Sequence, residues 1–285
     1  MTIEMERILE SQRFFEKQHY SKTAEKIATL TGQVVSGQVS NTQEISTRMV
    51  DVFETFHFEF GKIIPVGCKY RRRCFRESQI IILQSFHSLM ERRLSFPDEY
   101  SVFLDKMNAS DNSINSMSEL LSGLLTKQNR SNSESEIIFS SACHIYLVAV
   151  EGIFGEMAKL LFALMMISEG TNIPSITELS SEHVWKIYRE CERNFGIRPI
   201  FLENWKEKND IRNAIAHAQA QYDPVIDRVH FMTQNLKTGE VLYDRTMNFS
   251  EFFKIWLEIA DAIDAFRYTL RLVSVMENLT TLLAH

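Results

Sequence analysis

From Cys143 to Leu164, apolar side chains return at alternating spacings of four and three: Cys143, Leu147, Val150, Phe154, Met157, Leu161 and Leu164. This is the period of one buried helical face, and it predicts a long core helix. The same rhythm runs through Phe252, Trp256, Ile259, Ile263, Phe266, Leu270 and Val273, with Ser250 placed to cap a last long helix. Between these lie a helix from about Ser181 to Phe195, stopped by Gly196, and another from about Pro199 to Gln219. In "DRVHFMTQNLKTGEVLYDRT" the period changes. Two β-prone runs flank an Asn-Leu-Lys-Thr-Gly turn and read as a small hairpin inserted between helices.

Upstream, helical patterns cover Thr2–Leu30, Asn41–Phe60 and Arg73–Leu94, broken by "TGQVVSGQ" and "GKIIPVGC". The segment Met107–Glu136 is rich in Ser and Asn, which favour caps and turns over helix interiors, so it marks a boundary. The reading is an all-α protein. Residues 131–285 form a helical bundle with one inserted β-hairpin, and residues 1–130 form a helical region for substrate, partner or regulation.

Composition agrees with helices: only 10 Gly and 5 Pro in 285 residues leave few tight turns, and 45% hydrophobic with 24% charged suits a folded protein. The start, "MTIEMERILE", is acidic and amphipathic, unlike a secretory signal, and no uninterrupted apolar run reaches the length of a membrane span. A cytoplasmic protein without a membrane partner is expected. Cys68, Cys74, Cys143 and Cys191 lack the spacing of a metal site or disulfide framework, so neither metal nor cofactor is expected.

Charge changes the picture by its distribution. Up to Arg130 there are 17 Lys and Arg against 16 Asp and Glu; after it, 14 against 21. An acidic C-terminal half argues against indiscriminate nucleic-acid binding there, because phosphate neutralisation supplies most of such affinity. The one basic cluster is "CKYRRRCFRE", where Lys69, Arg71, Arg72, Arg73 and Arg76 stand among Tyr70 and Phe75 as RNA-contacting residues would. His57 and His87 lie among aromatics and read as structural, and Trp185, Trp205 and Trp256 as bundle packing.

The densest chemistry is in "NDIRNAIAHAQAQYDP", Asn209 to Pro224. On an undistorted helix Arg212 and His217 stand about 140° apart and cannot meet on one atom, whereas Asp210, Asn213 and His217 share a face, so the amide could orient the imidazole. Ile211, Ile215 and Ala218 form the neighbouring apolar stripe, and small Ala214 and Ala216 permit close approach by a second copy. Two such segments across a twofold axis would bring two arginines and two histidines to one groove. That set suits RNA phosphodiester cleavage: histidine moves the 2′-hydroxyl proton while Arg stabilises phosphate charge without a metal.

"IRNAIAHA" resembles the Arg-Asn-x-x-x-His signature of HEPN domains, many of which are metal-independent ribonucleases of toxin–antitoxin, phage-defence and CRISPR systems. The resemblance covers about residues 135–285. It implies a HEPN-like bundle, a homodimer acting on RNA, catalytic roles for Arg212 and His217 with support from Asn213, and an antitoxin or regulatory protein as partner. The family often adds an acidic residue from an earlier helix; Glu151, flanking the core seam, takes that place ahead of Glu156. The alternative is a non-catalytic interaction or nucleotide-binding module that dimerises through the same helices.

Overall fold

A computed structural model describes residues 2–62, 68–91, 102–103, 105–107, 109–110, 114, 131–171, 175–180, 184–195, 199–235 and 237–284. The stretch between Ile114 and Ser131, the core of the Ser- and Asn-rich boundary, lies outside them. The protein is mostly helical, with one small antiparallel sheet. Two compact units form: residues 1–84 with 264–285, and residues 85–263. The last turns of the chain therefore pack with the N-terminal helices, although the sequence reading places them in the second domain.

In the first unit, α1 (Ile3–Lys17) is capped by Thr2, and α2 (Ser21–Val35) follows a break at His19, whose φ of 66° ends the helix. Tyr20 offers α2 no side-chain cap. Glu59 does so from a distance, accepting from the Thr23 amide at 2.9 Å and hydroxyl at 2.7 Å. Glu59 belongs to α3 (Thr42–Phe60), which Asn41 caps; α4 spans Cys68–Glu91. The core is aromatic: Phe15, Tyr20, Phe56, Phe60, Phe75 and Tyr268 meet with ring centroids 4.9 to 6.4 Å apart.

The second unit is built on a long helical run. Helix α5 (Asn132–Val148) starts from a capping box of Ser131 and Glu134, widens into a π turn at Ala149–Phe154, and continues as α6 (Gly155–Ser168). The seam residues Cys143, Val150, Phe154, Met157, Leu161 and Leu164 are buried as the pattern requires. By length and composition, Asn132–Ser168 could cross a membrane; half of its most apolar window is buried inside the protein. Short α7 (Ile176–Ser180) and α8 (Val184–Phe195) lead to a 3₁₀ turn, Ile200–Leu202, and to α9 (Trp205–Ala216).

Helix α9 is shorter than its sequence suggests at both ends. Asn204 at φ 58° separates it from the 3₁₀ turn, and Ala218 at φ 55° stops it before Gln219. The sheet that follows has three strands: β1 (Ala220–Asp223), β2 (Arg228–Gln234) and β3 (Val241–Asn248), in the order β1-β2-β3. The expected hairpin is β2–β3, pairing Arg228 with Asn248 and kinked between Thr233 and Gln234; β1 is the addition. Val229 and Phe231 face the core, where Phe231 meets Phe252 and Phe139 stacks on Tyr222 at 5.3 Å. Helix α10 (Phe249–Leu283) is capped by Asn248, which accepts from the Glu251 amide at 2.8 Å while Glu251 accepts from the Asn248 amide. Asn248 thus takes the role expected of Ser250.

Candidate active site

Helix α9 buries Trp205, Lys208, Ile211 and Ala214 and leaves Arg212 and Asn213 half-buried beside them. Inside the unit, Tyr146 donates its hydroxyl to the Lys208 carbonyl at 2.9 Å, and the buried Lys208 ammonium pairs with Glu258 at 3.0 Å. These ties hold the inner face of α9 against the core, so its outer face has a fixed azimuth. Ala214 is wholly buried by its own chain and offers no close approach to a second copy; Ala216, His217 and Ala218 are exposed. The apolar stripe is accordingly Ile211 and Ala214, with Ala218 outside the helix.

Arg212 meets two groups. Its guanidinium pairs with Glu151, and its Nη1 donates to Asn213 Oδ1 at 2.7 Å. The Asn213 amide therefore holds the arginine, where the sequence reading assigns it to the imidazole. Glu151 comes from the π turn, where it is exposed among buried Ala149, Val150, Ile153 and Phe154. Widened helical turns of this kind recur at functional sites. Glu156 lies elsewhere: it is buried, pairing with Lys159 at 2.9 Å and Lys106 at 3.5 Å. Of the two acids, only Glu151 stands at the arginine.

His217 is the C-cap of α9, and its exposed imidazole makes no hydrogen bond or ion pair among the described residues. Its position is set by a Schellman turn: Gln219 N–H donates to the Ala214 carbonyl at 2.7 Å, and Ala218 N–H to that of Ile215 at 3.1 Å. Glu151, Arg212 and Asn213 are thus gathered, and His217 stands apart at the helix end. Asp210 does not join it. Burial holds the Asp210 carboxyl above its usual range against the pull of Lys206, and burial with the Asp210 charge pushes the Tyr243 phenol up to about 12.

Arg212 and Asn213 open into a groove of about 720 Å³, which Glu151, Lys159, Lys186 and Arg189 also line. Four cations and one carboxylate share this surface, in the half of the chain whose net charge is negative. Lys186 and Arg189 are missing from the sequence reading. They are three residues apart on α8, a helix with a sharply apolar face, and that spacing puts both on one side. Helix α8 comes close to α6 at Gly155, where an added Cβ would stand 3.7 Å from Val184 Cγ2. Trp205, stacked on Phe154 at 5.2 Å, forms part of the wall.

The basic cluster of α4 does not form one surface. Arg71 is buried, its guanidinium 3.8 Å from the Phe60 ring centre and 3.2 Å from Asp264, so it is a core residue where RNA contact was expected. Arg72 lies half-buried against Gly61, Arg76 pairs with Glu54 at 2.8 Å, and Arg73 is exposed. The Lys69 and Trp185 side chains lie outside the described residues. His57 stacks on Phe75 and is held below its usual pKa by burial and by Arg76. Cys74, Cys143 and Cys191 are buried, and burial pushes the Cys143 thiol up to about 12. No three His, Cys, Asp or Glu side chains are grouped to hold a metal ion among the described residues. Comparisons with protein-family models, curated proteins and solved structures find no match to this chain.

Proposed function

We propose that the protein is a metal-independent endoribonuclease, with a HEPN-like domain in its C-terminal half, acting as a homodimer on RNA. The observation that carries this reading is the meeting of Glu151, Arg212 and Asn213, from two separate elements, on the wall of a basic groove. An exposed imidazole, His217, follows at the end of the same helix.

The chemistry divides as follows. His217 removes the proton of a ribose 2′-hydroxyl, and the oxygen attacks the adjacent phosphorus in line with the departing 5′-oxygen. Arg212 binds the non-bridging oxygens through its planar fork, where negative charge grows. In a symmetric dimer the imidazole is the one the partner copy brings to Arg212, and the departing 5′-oxygen takes its proton from solvent water. Cleavage then yields 2′,3′-cyclic phosphate and 5′-hydroxyl ends. A toxin or antiviral-defence role, held in check by an antitoxin or regulatory protein, rests on the resemblance of "IRNAIAHA" alone.

A second reading is favoured by one observation: Arg212 is already satisfied by Glu151 and Asn213, as in a brace of a non-catalytic module. Total RNA incubated with purified protein in EDTA, with end-mapping of products, separates the two. The ribonuclease yields cyclic-phosphate ends, and His217→Ala or Arg212→Ala each lowers cleavage by at least about 10²-fold with the melting temperature retained. Arg212→Lys fails to rescue fully, since an ammonium lacks the fork. Cleavage that falls only in step with stability, or 5′-phosphate ends that need a metal, overturns the proposal.

A further inference from the structure

Within the acidic half of the chain, the groove beside Arg212 concentrates positive charge: Lys159, Lys186, Arg189 and Arg212 against Glu151. Lys159 is buried beside Glu156, and Arg212 pairs with Glu151. Lys186 and Arg189 are exposed on the lining of the same groove, one helical turn apart on α8. Their backbone is anchored by the approach of Val184 to Gly155, so the pair is presented by a packed helix and not by a loop. Val150, Gly155, Val184 and Trp205 give the groove an apolar wall as well, and its charged lining is four cations to one carboxylate. Such a lining matches successive phosphates of one extended strand, for which every nucleotide supplies the same anion.

We infer that Lys186 and Arg189 form a phosphate-binding track that holds the RNA strand beside the bond facing Arg212. The track rests on the ribonuclease reading for the identity of its ligand, but it is a binding function and is measured without cleavage. It also accounts for how an acidic half-chain can hold RNA: the cations are focused in one groove while the negative charge lies elsewhere.

The test uses the full-length protein and a single-stranded RNA oligomer carrying 2′-O-methyl groups at every ribose, which cannot be cut. Binding is followed as salt is raised, for the wild type, for Lys186→Gln/Arg189→Gln and for Lys237→Gln, a turn residue remote from the groove in sequence. Both groove residues are exposed, so unchanged melting is expected for the double variant. The inference expects affinity to fall by at least about tenfold at low salt and the log–log salt slope to flatten by about 1.4, two phosphates at ~0.7 each on a single strand. Lys237→Gln should leave both unchanged. Loss of binding in the double variant, beside a wild type that leaves unmodified RNA with free 2′-hydroxyls uncut, upholds the track and overturns the ribonuclease reading. Equal affinity and slope in wild type and double variant overturn the track even if RNA is cleaved. So does ATP that binds more tightly than the oligomer and displaces it, which would make the groove a nucleotide site.

Discussion

Arg212 is held at two points by its own chain, and the hold is weak enough to be exchanged. Glu151 is half-exposed and Arg212 one-third, so water screens the pair and its contribution to stability is about 0–1 kcal/mol. A phosphate entering the groove can replace the carboxylate on one edge of the fork while Asn213 keeps the other. On the ribonuclease reading, Glu151 would position the guanidinium. On that reading Glu151→Gln should leave the melting temperature within about 1 °C while lowering cleavage roughly tenfold or more, because a neutral amide holds its one edge of the fork less firmly before the phosphate arrives. Unchanged cleavage in that variant would make Glu151 an ordinary surface partner. Arg71 shows the limit of reading charge from sequence. It looks like Arg72 and Arg73 by type, yet Arg71, Cys74, Phe75, Ser78 and Ile82 are all buried along one face of α4. The three-four spacing was legible in "YRRRCFRESQIII" and pointed inward; a cation in that register goes to the core when an aromatic ring and Asp264 are there to receive it. The motif residues Arg212, Asn213 and His217 could be picked out by type and spacing, whereas the partner of the Asn213 amide depends on side-chain geometry that spacing does not fix.

The local structure that aims those side chains was partly hidden. The seam from Cys143 to Leu164 correctly marks one helical run, but nothing in "AVEGIF" signals the π turn that carries Glu151. The end of α9 was hidden for a different reason. Helices commonly stop at a glycine in the left-handed region, and here the residue in that place is Ala218, at φ 55°. Without a glycine the pattern reads on to Gln219. The stop is imposed by tertiary structure, because β1 begins at Ala220 and the Gln219 carbonyl is drawn to the Met232 amide at 3.2 Å. An alanine held there pays a steric cost against its following carbonyl. Ala218→Gly should therefore raise stability by about 0.5 kcal/mol, the relief of strain being partly offset by a more flexible unfolded chain, and lift the melting temperature by about 1–3 °C. A fall in melting temperature would contradict the left-handed turn and the placing of His217 that depends on it. Four-residue β1 is too short for alternation to reveal, while the β2–β3 hairpin, with its Gly-containing turn, was legible.

At the scale of the whole molecule the question is how many chains make one site. Within one chain, α9 directs Arg212 at Glu151 and the groove, while His217 caps the helix end and faces solvent. On the ribonuclease reading, a second copy related by a twofold axis would supply an imidazole beside Arg212 with no new residue type, since the surface that offers His217 on one chain would receive it on the other. With Ala214 buried, the contact falls to Ala216, His217 and Ala218, the exposed end of the helix. Mixing inactive Arg212→Ala with inactive His217→Ala tests the arrangement. In a mixed dimer one site loses both groups and the other keeps the intact arginine of one chain and the intact histidine of the other. Equal mixing makes about half of the dimers mixed, so roughly a quarter of wild-type cleavage should return, and it should vanish on dilution below the dimer's dissociation constant. A monomer that sediments as such with full activity, or a mixture no more active than its parts, would place the whole site in one chain and refute the shared groove.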